Sequence, residues 1–389
     1  MNYQKEIMRY NDDVINFIQK LVKVPSVNGV NTEVEIINCI KEEVIKLGLP
    51  YQILYKDPTH PNIFVGENFN KKQGLLLIAH VDTAGIGDET KWTRNPFSGD
   101  VVDNKLFGRG AIDNKAGIAL SVYSLKILQD QGKLDLAKFI GVSDEECGAD
   151  SIFGAKYLLE LGLQAKAAIY TYAGNDTITI GHRGQVKLWI NVSGESTHSG
   201  SGSWQNGTKG ASAIEALNKI LTKLSTYNLK GTNKYFPNYT FKQTVLLIEG
   251  GSTTSLVPDK AKALIDARLL PNHLNEKYID DIKNIVKKFE TEKIKADVKV
   301  QTNLPAAYIK PSENVVKILT KLSKKILNNN PEIRGCGPAN EGYMFIGNRI
   351  PTICGFGVSG EGAHSKDEYL ETNSIPKILE IYVETALLI

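Results

Sequence analysis

Residues 74–85 read GLLLIAHVDTAG, an unbroken apolar run over 75–79 that meets His80, Val81 and Asp82 and closes on a glycine. A run so short, bounded by glycines, reads as a buried strand. The neighbouring segments extend the pattern. β-type runs at 51–55 (YQILY) and 62–66 (NIFVG) precede it. A helix over about 115–131, a strand at 137–143 (AKFIGVS), a helix over about 151–162 and strands at 167–172 and 177–181 follow it. Alternating strands and helices indicate an α/β layer.

Two amphipathic helices open the chain. The first spans about 3–22 with Ile7, Val14, Ile18 and Leu21 on one face, and ends before Val24-Pro25-Ser26. The second begins near Thr32, where Thr32 and Glu35 have capping-box spacing, and Gly48 is placed to end it. After Gly181-His182-Arg183-Gly184 the order becomes strand (186–192), helix (208–226), strand (243–249), strand (261–270), helix (275–289) and strand (295–301). That βαββαβ order matches a small ferredoxin-like unit. From about 304 the chain returns to helices over 313–328 and 340–346, a strand at 350–356 and a last helix over 373–388. The expected architecture is therefore one α/β domain, mixed sheet with helices on both faces, formed by 1–183 and 304–389 and interrupted by an inserted α+β domain at 184–303.

Composition excludes several classes. In a chain of 389 residues, 46 basic against 43 acidic residues leave a net charge of only +3, too small for binding driven by many phosphate contacts, so no nucleic-acid partner is expected. No run approaches the roughly 20 apolar residues of a membrane helix, and the amino terminus carries no apolar signal core. Cys39, Cys147, Cys336 and Cys354 show no paired spacing, which suggests free thiols and a cytoplasmic setting.

Four segments concentrate the chemistry: LLLIAHVDTAG, GRGAIDNKAG (108–117), GVSDEECGA (141–149) and GEGAHSKDEYLE (360–371). In an open α/β sheet, ligands collect beyond the carboxyl ends of strands, where His80, Glu145 and Glu146 stand. His80 and Asp82 leave an extended segment on the same side, so Asp82 can hold the second ring nitrogen of a metal-binding imidazole. Asp113 reads either as a helix N-cap or as a carboxylate bridging two cations. Asp113 also stands where a dinucleotide loop needs its third glycine, and a carboxylate there would repel pyrophosphate. If 144–146 stays extended, Glu145 and Glu146 project to opposite sides, one free to bind metal and the other to act as a base. His364 completes a mixed nitrogen and oxygen set that suits zinc first, and cobalt or manganese also. His60 and His273 read as loop surface, and His182 as strand packing or site support.

Together these segments, in order, resemble the family of acetylornithine deacetylase, succinyl-diaminopimelate desuccinylase and carboxypeptidase G. The resemblance spans nearly the whole chain and includes HVD, GRGAIDNKAG, the DEE triplet, GHRG, VPDKAKALIDARLLP (257–271) and AHSKDEYLE (363–371). It implies a zinc-exopeptidase-like fold with a lid and dimerisation domain inserted, a homodimer, and a small-molecule or short-peptide substrate. It further implies that His80, Asp113, Glu146 and His364 are metal ligands, Asp113 bridging, with Asp82 supporting His80 and Glu145 as base. His198 matches a histidine that polarises the scissile carbonyl across the dimer, and Arg268 an arginine that binds substrate carboxylate. Three positions depart from the family pattern. Tyr172 stands ten residues before His182, where an acidic metal ligand is usual; Ser255 replaces a common asparagine; and Asn340-Glu341 replaces a Thr-Asp pair. The expected activity is metal-dependent hydrolysis of an amide bond in a small N-acyl amino acid or short peptide. The alternative, which Tyr172 motivates, is a catalytically weak relative that binds such a molecule.

Overall fold

The computed structural model describes residues 3–147 and 152–389, which form two compact units. The first comprises residues 1–182, 307–336 and 340–389; the second comprises 183–306 with 337–339.

In the first unit a six-stranded mixed sheet runs in the order Tyr51–Leu54, Asn62–Gly66, Ala137–Val142, Leu75–His80, Ala167–Tyr170 and Thr352–Ile353. Leu75–His80 pairs in parallel with both of its neighbours, and every one of its residues is buried. That explains the continuous apolar run: a strand covered on both faces has no polar alternation to show. Behind it lies the helix Ala116–Asp130, apolar nearly all round, packed against Tyr3–Val22 and Ile375–Leu388. Each large side chain buried here contributes about 1.5–3 kcal/mol. Polar residues enter this core where they find partners, as Lys138 does. Lys138 is fully buried, and its Nζ donates to the carbonyls of Asn68, Lys71 and Gln164 at 2.8, 3.0 and 2.9 Å, tying two surface loops to the sheet; burial draws its pKa down to about 8.

Several local expectations are corrected. The Thr32/Glu35 capping box does not form. The helix is Val34–Lys46, and its N-cap residue is Glu33, which caps nothing with its side chain. The Glu33 carboxylate is buried instead, 2.8 Å from His60 Nδ1, and the His60 ring stacks on Phe153 at 4.8 Å. His60 is therefore a packing residue and not plain loop surface. The helix expected over 151–162 begins outside the described residues and is observed as Ala155–Glu160. The strand expected at 350–356 is only Thr352–Ile353, after which Cys354 and Gly355 pair with Thr179 instead.

The second unit is a four-stranded antiparallel sheet in the order Lys242–Gly250, Lys260–Leu269, Gly184–Ser193 and Lys295–Leu304. Helices Ala213–Ser225 and Asn275–Lys287 cover one face and share one apolar core with it. Numbered along the chain, its strands lie side by side as second, third, first and fourth, the ferredoxin-like topology that the βαββαβ order specifies. The edge strand Lys242–Gly250 leaves Val245, Leu246, Leu247 and Ile248 exposed.

Candidate metal centre

His80 ends its strand with a fully buried ring. Nδ1 lies 2.8 Å from the backbone carbonyl of Asp82 and 3.6 Å from its carboxylate, so the carbonyl is the principal acceptor. The Asp82 carboxylate works elsewhere: it accepts from Asn28 Nδ2 at 2.9 Å and from the backbone N–H groups of Glu145 at 3.3 Å and Glu146 at 2.9 Å. One residue thus orients the imidazole with its main chain and the acidic triplet with its side chain.

The triplet is not extended, which corrects the sequence reading. The strand Ala137–Val142 ends, the backbone bends over 143–145, and Asp144 adopts a left-handed φ of 66°. Both following N–H groups point at Asp82, and that turn, rather than strand alternation, separates the two glutamates. Glu145 accepts from the Tyr172 hydroxyl at 2.5 Å, whereas Glu146 Oε1 lies 3.0 Å from His364 Nε2.

Asp113 is not an N-cap. The following helix starts at Ala116, and Asp113 directs Oδ1 to His80 Nε2 at 2.9 Å and Oδ2 to His364 Nε2 at 3.1 Å. The loop that carries it is held by Glu368, which sequence inspection did not single out. Its buried carboxylate accepts from the backbone N–H groups of Gly110, Ile112 and Asp113 at 3.0, 2.9 and 3.2 Å, and from Arg109 Nη1 at 2.6 Å. Arg109 is buried as well, and its Nη2 donates to the carbonyls of Gly85 and Ser365. These contacts dispose of the dinucleotide-loop reading, since a protein carboxylate consumes the N–H groups that would cradle pyrophosphate. A basic residue between two glycines and an acid shortly after the site histidine are the signals that could have paired Arg109 with Glu368.

The charges are strongly coupled. Burial alone would raise the Asp113 carboxyl, but its bonds to His364 and His80 hold it well below the usual range. His364 rises to about 10 through Asp113 and Glu146. His80 is likewise raised despite complete burial, because Asp113 and Asp82 favour its charged form. Burial lifts Glu145 to about 7 against the pull of His80 and Tyr172. Protonated imidazoles thus balance the acids, and a divalent cation can take over that role, releasing the protons. The donor set fits one. Asp113, Glu146 and His364 place ligand atoms within 4.8 Å of one another, as do His80, Glu145 and Glu146. Glu146 Oε1, although buried and close to His364 Nε2, makes no well-formed hydrogen bond. Close approach without hydrogen-bond alignment suits atoms that converge on a shared ion.

Residues 76–388 match the model of peptidase family M20/M25/M40. The chain belongs to that family. It is 27% identical over 354 residues to an uncharacterized metallohydrolase of Methanocaldococcus jannaschii, covering 83% of each chain. It is 24% identical to a succinyl-diaminopimelate desuccinylase of Rickettsia akari, covering 97% of this chain and 95% of that one. A tripeptidase of Staphylococcus aureus shares the fold with a TM-score of 0.75 at 23% identity, covering 97% and 99% of the two chains. The M20/M25/M40 membership makes this protein a metal-dependent hydrolase of the metallopeptidase and amidohydrolase class, with the mixed α/β fold of its relatives. Among the described residues no helix is long and apolar enough to cross a membrane.

His198 and Arg268 belong to the second unit. His198 is exposed, and its Nδ1 accepts from the Gly200 N–H at 3.1 Å. The adjacent Ser199 donates to the Ser255 carbonyl, so the departure at 255 lies beside this histidine. Arg268 Nε donates to Asp266 Oδ2 at 2.8 Å, and Gln185 steadies the other oxygen of Asp266 at 2.7 Å.

Proposed function

We propose that this chain is a zinc-dependent amide hydrolase acting on a small N-acyl amino acid or short peptide. His80, Asp113, Glu146 and His364 form its metal centre, and Glu145 is its general base. The observation that carries this reading is the convergence of Asp113, Glu146 and His364 donor atoms at 3.0–3.1 Å from three distant loops. A divalent ion bound there supplies Lewis acidity, lowering the pKa of water toward neutrality and polarising a carbonyl oxygen. Glu145, shifted to about 7, is poised to accept a proton from the attacking water and return it to the leaving amine. Asp82 keeps Glu145 and Glu146 in place through their backbone N–H groups. In this reading His198 donates to the developing oxyanion, and Arg268 anchors a substrate carboxylate. The second unit serves as lid and as the contact of a homodimer, supported by its apolar edge strand. A monomer mass by light scattering would remove the dimer from the scheme.

The test is hydrolysis of a panel of N-acetyl and N-succinyl amino acids, dipeptides and tripeptides. Turnover should vanish with a chelator and return with zinc, cobalt or manganese, and analogues amidated at the carboxylate should be poor substrates. Turnover that survives chelation would exclude a metal role. Saturable binding without turnover under all three metals would support the binding protein that Tyr172 favours.

A further inference from the structure

The two sides of Asp113 are not equivalent. On the Oδ2 side, Asp113, Glu146 and His364 present three protein donors, and the half-exposed His364 side chain opens that position to solvent. Three protein ligands with one position left for water is the arrangement of a single-ion catalytic zinc site. On the Oδ1 side His80 Nε2 lies at 2.9 Å, the one ligand atom among the described residues at hydrogen-bond distance from that oxygen. Tyr172 also borders this side, its ring 5.5 Å from the His80 ring and its hydroxyl donating to Glu145 at 2.5 Å. A phenol keeps its proton at neutral pH, so it offers an ion far less than a carboxylate does. Here that proton goes to Glu145. Glu145 is one of two acids within reach of His80, and the other, Glu146, already faces His364 through Oε1. Tyr172 is also braced: its ring stacks on Tyr170 at 4.6 Å and 14°, and the Tyr170 hydroxyl donates to the buried carboxylate of Glu341. Two departures from the family pattern, at 172 and 341, are thus parts of one buried layer.

We infer that the centre holds one tightly bound divalent ion, on Asp113, Glu146 and His364, and that Tyr172, a phenol where a carboxylate would be needed, leaves the position beside His80 without a third ligand. The inference rests on the metal-hydrolase reading of the same site and narrows it. Loss of even an outer partner of a metal ligand costs about 10–100-fold in affinity, so a missing ligand separates the two positions by at least about 100-fold. Tyr172 in this account is a positioning residue for Glu145.

The experiment is a metal count on the full chain. Protein stripped with a chelator is titrated with cobalt by calorimetry, and the metal retained after gel filtration is measured by mass spectrometry, with circular dichroism as the folding control. One equivalent per protomer is expected for the parent, for Tyr172→Phe and for His80→Ala, none for His364→Ala, and two for Tyr172→Asp. Two tight equivalents in the parent, or loss of the ion in folded His80→Ala, overturn the inference and leave the hydrolase reading standing. A folded Tyr172→Asp that still holds one equivalent overturns the role given to Tyr172. A parent that retains no metal overturns the hydrolase reading itself. If Tyr172→Asp does not fold, the contrast between His80→Ala and His364→Ala decides alone.

Discussion

Replacing Glu145 by Ala is expected to lower kcat by about 10²–10⁴-fold, the usual worth of a positioned general base, with metal content unchanged. The expectation has a definite competitor. Glu145 lies with His80 and Glu146 in a group whose ligand atoms fall within 4.8 Å, so its carboxylate is also near enough to bind an ion. Measuring bound metal beside kcat separates the two roles. Loss of the ion together with activity makes Glu145 a ligand, whereas loss of activity alone makes it the base. Glu145→Gln is informative in the same way, because it keeps an oxygen for Tyr172 to donate to while removing the ability to accept a proton.

The second large effect concerns stability. Glu368→Ala is expected to destabilise the first unit by about 3–5 kcal/mol, on the order of 10 °C in thermal midpoint, because it strands the buried Arg109 guanidinium. It also leaves three backbone N–H groups of the Asp113 loop without their acceptor. Since those N–H groups position Asp113, metal affinity should fall with stability. Adding Arg109→Met to Glu368→Ala should restore part of the loss, as the second substitution removes the unpaired charge that the first creates. A thermal midpoint within about 2 °C of the parent for Glu368→Ala would show that the pair is not what holds this loop.

Much of the fold was legible because its signals are local. The run at 75–79 is apolar on both faces of the strand, and the βαββαβ order of 184–304 alone specifies the topology that the second unit adopts. Local signals failed where a tertiary contact outbid them. Thr32 and Glu35 have the spacing of a capping box, but the helix starts at Val34, and the Glu33 side chain before it is buried beside His60. The 144–146 triplet follows an apolar strand directly, yet Asp82 draws its backbone into a turn. The identity of the donors could be read from motifs; their partners could not, because an imidazole does not announce which oxygen it will face.

The sequence by itself determined the element order, the family, and the set of imidazoles and carboxylates placed at strand ends, since each depends on residue types within a few positions of one another. The tertiary structure alone decided how those groups share the work. Gly110 and Glu368 meet across 258 positions, Tyr170 and Glu341 across 171, and Tyr172 and Glu145 across 27. Hydrogen bonds between such partners exist only once the sheet and its loops have closed, and they determine which carboxylate is free to face an ion and which is held by a phenol.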